Sequence, residues 1–183
     1  MRAFLALEIP PAMKNHLEAA IGVMTPRMKG IRWIKQDGLH VTLRFLGEIG
    51  PELAARIKEE CPAIGTDYAP IEASVKGIDA FPSRRRARVI VVTLGEGVET
   101  IKAIYRDVGE GLSRVGIGAE EREYTPHITL GRAKMPAPLP DRGMAPLEET
   151  RFTMDRLILF QSTLTKDGAI HSPVWDIKLG GRE

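Results

Sequence analysis

Two stretches of this 183-residue chain, His40-Val41-Thr42-Leu43 and His127-Ile128-Thr129-Leu130, match position by position in residue type. Each lies in an apolar run of the kind that forms a strand. Successive side chains of a strand point to opposite faces, so His40 and Thr42 share one face while Val41 and Leu43 share the other. The second copy repeats the arrangement, with His127 and Thr129 displayed over Ile128 and Leu130. The apolar pair anchors each strand, and an imidazole and a hydroxyl are left on view.

A lone histidine in such a setting is more often structural than catalytic. Duplication changes the weighting: the chain has four histidines, two in the same H-x-T-x frame, whereas His16 and His171 have no such setting and read as ordinary residues. Two imidazoles suit a phosphodiester displacement near neutral pH, where one takes a proton from the nucleophile and the other gives one to the leaving oxygen. Each transfer is worth about 10² to 10⁴ in rate. The hydroxyls of Thr42 and Thr129 would meet the charge that builds on the non-bridging oxygens. A zinc site fits poorly, because threonine is not a zinc ligand and neither an H-x-x-x-H pair nor a cysteine partner accompanies the motifs. The expectation is a site with no metal and no cofactor.

The elements that must position these residues are legible from periodicity. Arg2 to Ile9 alternates as a half-buried strand and ends at Pro10 and Pro11; Met13, Leu17, Ile21 and Met24 then fall at helical spacing. Strands are expected over Ile31–Ile34 and Leu39–Leu46, then a helix from Pro51 carrying Leu53, Ile57 and Cys61. Ile71–Ala80 and Ala87–Leu94 read as strands joined by a loop holding Arg84, Arg85 and Arg86. Ile101, Ile104, Val108, Leu112 and Val115 form a helical stripe ended by Gly116 and Gly118. His127–Leu130 is a short strand, Pro136–Pro146 a proline-rich loop, and Phe152–Phe160 and Val174–Leu179 close the chain as strands around the turn signal Lys166-Asp167-Gly168.

The histidine motifs stand 87 residues apart, close to half the chain, and each follows a long amphipathic helix. This predicts an α+β, bilobal duplicated fold: two antiparallel-sheet lobes with helices outside, one histidine strand in each, facing one another across a central cleft. Residues 1–183 would form one domain of two pseudo-symmetric lobes, and one site would be built from both.

Composition bounds the class. With 43% hydrophobic and 27% charged residues, the chain is ordinary for a globular protein and long enough for a core without staples. The single cysteine, Cys61, allows no internal disulfide, the N-terminus lacks the order of a secretory signal, and no apolar run approaches the roughly 20 residues that span a bilayer. The chain is expected in the cytoplasm, as a monomer with no membrane partner. A net charge of +2 with the arginine run Arg84-Arg85-Arg86 and Arg88 leaves room for a polyanionic partner.

In its flanks the sequence resembles the two-histidine phosphoesterase superfamily, and within it the RNA 2′,3′-cyclic phosphodiesterases, also called 2′,5′-RNA ligases. The resemblance covers nearly the whole chain and rests on Phe4-Leu5-Ala6 with Pro10, on Leu39 to Gly47, on Tyr124-Thr125-Pro126-His127-Ile128-Thr129-Leu130-Gly131-Arg132, and on Leu159-Phe160-Gln161-Ser162 with Gly168. One departure is the short proline-rich stretch after the second motif, where relatives carry a helix. The resemblance implies a V-shaped cleft and hydrolysis of a cyclic phosphate to a 2′-phosphate with the 3′-oxygen leaving. His40 would be the proton donor and His127 the proton acceptor, and RNA with a 2′,3′-cyclic phosphate end, tRNA fragments included, would be the partner. The same pair run backwards would join a 5′-hydroxyl to the cyclic end, giving a 2′,5′ linkage without ATP.

Strict alternation puts Arg44 on the displayed face with His40 and Thr42, where it would neutralise phosphate or pair with a carboxylate. Arg132 falls on the opposite face unless Gly131 bulges the strand and turns it inward; the resemblance favours Arg132 as a substrate-binding residue. Tyr124, Phe81 and Trp33 stand where a base could stack, though core roles are commoner for aromatics. Two other readings are a non-catalytic RNA- or nucleotide-binding module, which would need no paired acid and base, and a phosphodiesterase acting on a small cyclic nucleotide.

Overall fold

The computed structural model describes residues 1–140, 145, 147, 150–166 and 168–181. In chain order the elements are β1 (Arg2–Glu8), α1 (Pro11–Met24), β2 (Ile31–Trp33), β3 (His40–Glu48), α2 (Pro51–Glu60), α3 (Pro62–Asp67), β4 (Ile71–Phe81), β5 (Ala87–Leu94), α4 (Val98–Arg114), β6 (His127–Ala137), β7 (Arg151–Met154), β8 (Arg156–Thr165) and β9 (Gly168–Lys178). Short 3₁₀ turns at Gln36–Gly38 and Arg84–Arg86 lie between strands.

The strands run in the order β7-β4-β5-β6-β3-β1-β8-β9, with β2 added beside β6, and every pairing is antiparallel. Four strands on each side of the centre make the two lobes of the expected α+β fold. The centre is the junction of the two histidine strands, where β3 and β6 meet at one register pair, Val41 opposite Ile128. The lobes are not halves of the chain, however. The C-terminal hairpin β8–β9 returns to pair with β1, so the N-terminal lobe is completed by the last strands.

Helices α1, α2 and α4 form where the periodicity places them. Proline occupies the first turn of α1, α2 and α3, where its missing N–H costs no hydrogen bond. On α4, Ile101, Ile104, Val108 and Leu112 are buried against the sheet. Full burial of such a side chain is worth roughly 1.5–3 kcal/mol, so the stripe is what seats this face of the helix on the core.

Several boundaries differ from the expectation for physical reasons. Phe152–Phe160 is not one strand: it breaks at Asp155, because β7 pairs with β4 in one lobe and β8 with β1 in the other. Strand β6 continues to Ala137, into the proline-rich stretch, which otherwise falls largely outside the described residues. Strand β9 begins at Gly168, well before Val174; Asp167 of the turn signal lies outside the described residues. Helix α3, a six-residue helix following buried Cys61, has too short a stripe for its period to show.

Candidate active site

Both histidine strands carry the same irregularity. On β3, Thr42 opposes Ala6 and Arg44 opposes Leu5, so Leu43 is an extra residue; on β6, Thr129 opposes Val91 and Gly131 opposes Ile90, so Leu130 is extra. A bulge of one residue inverts the alternation beyond it. The burial patterns of the two strands are consequently identical over all nine positions of β3. His40 and His127 are equivalent, as are Thr42 and Thr129; beyond the bulge Arg44 matches Gly131, and Phe45 matches Arg132.

This corrects the expectation for Arg44. It turns away from the displayed face and is 7% exposed, with its guanidinium donating to the Gly118 carbonyl and lying 3.5 Å from Glu120 Oε1. Tyr124 Oη donates to the Thr42 carbonyl at 2.9 Å while its ring stacks on Tyr105. The Arg44 contacts and the Tyr124 hydrogen bond tie the segment leading into His127 onto β3, which fixes the second motif relative to the first. Arg132 does face the cleft, but the turning bulge is centred on Leu130. Gly131 serves a different need: a Cβ there would stand 2.7 Å from Ile31 Cγ2 and 2.9 Å from Trp33 Cε3, so only glycine lets β2 approach. Trp33 therefore packs on Gly131 rather than offering a stacking face.

His40, Thr42, His127, Thr129 and Arg132 line one cleft of about 450 Å³ between the lobes. Neither threonine hydroxyl has a hydrogen-bond partner among the described residues, so both are free to meet a ligand. The His127 ring lies with Nδ1 2.7 Å from the Thr125 carbonyl. A carbonyl only accepts, so Nδ1 holds the proton and Nε2 is the basic nitrogen of the neutral ring. The Gly38 backbone, again two residues before the histidine, lies beside His40 and favours its charged form.

The neighbours of the two rings differ. His40 stacks on Phe4 at 4.9 Å, and Phe4 stacks in turn on Phe160 at 5.3 Å, while the Phe81 ring meets His127 edge-on at 4.9 Å. The fourth histidine of the sequence, His171, is also here: β9 pairs it with Ser162, it lines the cleft, and it stands edge-on to His40 at 5.6 Å with Nδ1 buried and without a partner. The sequence gives no sign of this, because His171 lacks a motif and only the return of the C-terminal hairpin brings it in. Phe45, 60% exposed on the cleft wall, is equally hidden from the sequence, since alternation without a bulge puts it in the core.

Burial, reinforced by the nearby charges of His171, Lys14 and His127, pushes the His40 imidazolium down to about 3, and burial likewise lowers His127. The native protein therefore binds fewer protons than the unfolded chain once the pH drops below the ordinary histidine value of about 6.5. Stability must fall as the pH is lowered from there, approaching about 1.4 kcal/mol per pH unit for each proton excluded, until the folded His40 itself titrates. Between pH 6.5 and 5 the chemical-denaturation midpoint should decline, and His40→Phe, which keeps the stack and cannot charge, should make that decline shallower. Equal slopes for the variant and the parent would contradict the burial of His40 as a neutral ring.

No three His, Cys, Asp or Glu side chains converge as a metal site among the described residues. No helix among them is long and apolar enough to cross a membrane.

Known proteins resemble the chain in sequence and in fold. Residues 7–91 and 93–171 match the family model described as LigT like phosphoesterase. A Methanocaldococcus jannaschii protein named RNA 2′,3′-cyclic phosphodiesterase is 33% identical over 179 residues, covering 95% of this chain and 98% of its own length. A Thermotoga maritima protein of the same name is 27% identical over 99% of this chain and 97% of its own. Among solved structures, a Thermus thermophilus protein superposes with a TM-score of 0.86 at 25% identity over the whole of both chains. Escherichia coli LigT, crystallised with 3′-AMP, shares the fold with a TM-score of 0.80 at 20% identity over 98% of each chain.

Proposed function

The chain belongs to the LigT-like phosphoesterase family, and from that membership and the paired imidazoles of its cleft we propose that it is an RNA 2′,3′-cyclic phosphodiesterase using its own side chains as acid and base. The observation that carries the reading is that two equivalent strands present a histidine and a threonine each into one cleft.

In this mechanism His127 Nε2, free because Nδ1 is held by Thr125, takes a proton from water as the oxygen attacks phosphorus. A new P–O bond forms, the P–O3′ bond breaks, and His40 delivers its proton to the departing 3′-oxygen. The product carries a 2′-phosphate and a 3′-hydroxyl. With both imidazoles pushed down by burial, the base starts in its working form and the acid does not. The bound phosphodiester anion supplies what is missing, because a negative charge beside an imidazole favours its protonated form. Substrate thus charges its own acid. Thr42, Thr129 and Arg132 meet the phosphate oxygens. With an RNA 5′-hydroxyl in place of water, the same displacement of the 3′-oxygen would form a 2′,5′ linkage. Both lobes of one chain complete the site, so a monomer suffices; RNA fragments with cyclic ends, tRNA pieces included, are the proposed substrates, in the cytoplasm where Cys61 stays reduced.

The test is product analysis on an oligoribonucleotide with a 2′,3′-cyclic end, with EDTA present. A 2′-phosphate end formed at an undiminished rate is expected. A 3′-phosphate product, or activity abolished by EDTA and restored by a divalent cation, would defeat the proposal.

A further inference from the structure

Strand β2 pairs with β6 so that Arg32 stands directly opposite Arg132. Residues opposite one another in an antiparallel pair project to the same face, and Arg132 lines the cleft. The rest of β2 agrees: Ile31 and Trp33 cover Gly131 on the other face, and Ile34, two positions beyond Arg32, also lines the cleft.

Both arginines are exposed, and among the described residues neither has an ion pair or hydrogen bond. Arg84, Arg114, Arg151 and Arg156 have carboxylate partners in Asp79, Glu60, Glu96 and Asp176; among the described residues Arg56, Arg85, Arg86 and Arg88 have none either, but they do not stand opposite another arginine at the edge of the cleft. Like charges directly opposite each other weaken a strand pair, so the fold gains nothing from this placement. An anion lying over both relieves the repulsion and receives charge-assisted hydrogen bonds.

Which anion follows from position. Arg132 lies within electrostatic reach of His127, whose imidazolium it disfavours, and so belongs to the reacting phosphate. Arg32 lies on the adjacent strand, about 4.8 Å away in the pairing direction. With a long side chain on each, the two guanidiniums can reach neighbouring phosphates of one nucleic-acid strand while Arg132 stays on the reacting group. Building on the proposed activity, we infer that Arg32 holds the phosphodiester immediately upstream of the cyclic end, so that the site selects an RNA chain over a cyclic mononucleotide.

The experiment compares kcat/KM on a nucleoside 2′,3′-cyclic phosphate and on a dinucleotide ending in the same cyclic phosphate, for the wild type, Arg32→Ala and Arg32→Lys. The dinucleotide preference, taken as the ratio of the two values, should fall about 10-fold in Arg32→Ala and be largely kept in Arg32→Lys. The dependence of log kcat/KM on log salt for the dinucleotide should lose about 0.7 of slope in the alanine variant. An unchanged ratio in Arg32→Ala would overturn the inference, as would equal losses on both substrates. A wild type that hydrolyses neither substrate would overturn the activity on which the inference rests, a result separable from a wild type active on both with a ratio indifferent to Arg32.

Discussion

His127→Ala and His40→Phe should each lower kcat by about 10² to 10⁴, the range for removing one positioned proton transfer, while both proteins remain folded. The choice of phenylalanine at position 40 matters. His40 is part of a stacked series with Phe4 and Phe160, so alanine would open a cavity and confound lost chemistry with lost packing. A phenyl ring keeps the stack and removes only the exchangeable proton. His127 meets Phe81 at an edge and lies at the cleft surface, so its truncation leaves little to collapse. Steady-state turnover on a cyclic-ended RNA, with thermal melts confirming the fold, decides the matter. Either variant keeping more than about a tenth of wild-type kcat would mean that its imidazole is not an acid or base in the slow step. The double variant should be little worse than the worse single one, because the two transfers serve one displacement.

The second large effect is expected at the threonines. Both hydroxyls face the cleft without a partner among the described residues, and a donor held beforehand where charge develops is worth about 10²–10³ in rate in well-studied sites. Thr42→Ala and Thr129→Ala should therefore lower kcat by roughly 10- to 1,000-fold. Serine at either position should restore most of the rate, since the hydroxyl makes the hydrogen bond and the methyl does not. Valine, which keeps the shape and β-branching, should be as poor as alanine. Alanine variants as fast as the wild type, or serine variants as slow as alanine, would remove the threonines from the account of the transition state.

Much of this arrangement is legible in the sequence because period-2 patterning is local. His40, Thr42, His127 and Thr129 can be placed on displayed faces from their own neighbours, and the stripes of α1 and α4 announce themselves over several turns. What is not legible is non-local. A bulge is a property of two paired strands, so the inversion after Leu43 and Leu130 cannot be counted from one strand. Strict alternation accordingly puts Arg44 in the cleft when it belongs beneath it, and Phe45 beneath when it belongs in the cleft. His171 enters the site only through the pairing of β8 with β1, a contact between the two ends of the chain. The matching bulges keep the two backbones alike, and the residue types break the likeness: at equivalent positions one wall offers the phenyl ring of Phe45 and the other the guanidinium of Arg132. A phosphate ester with a base on one side can tell the two walls apart, which is what two otherwise matching histidines require if one is to be acid and the other base.

The seam between the lobes has a mechanical consequence. Strands β3 and β6 touch at the single pair Val41 and Ile128, each immediately next to a motif histidine. The Tyr124 hydroxyl on the Thr42 carbonyl and the Arg44 guanidinium on the Gly118 carbonyl cross the same line, and α2 meets α4 through Glu60 and Arg114. The two imidazoles therefore stand where the lobes are stitched together, and the span between them is set by the seam rather than by the walls of the cleft.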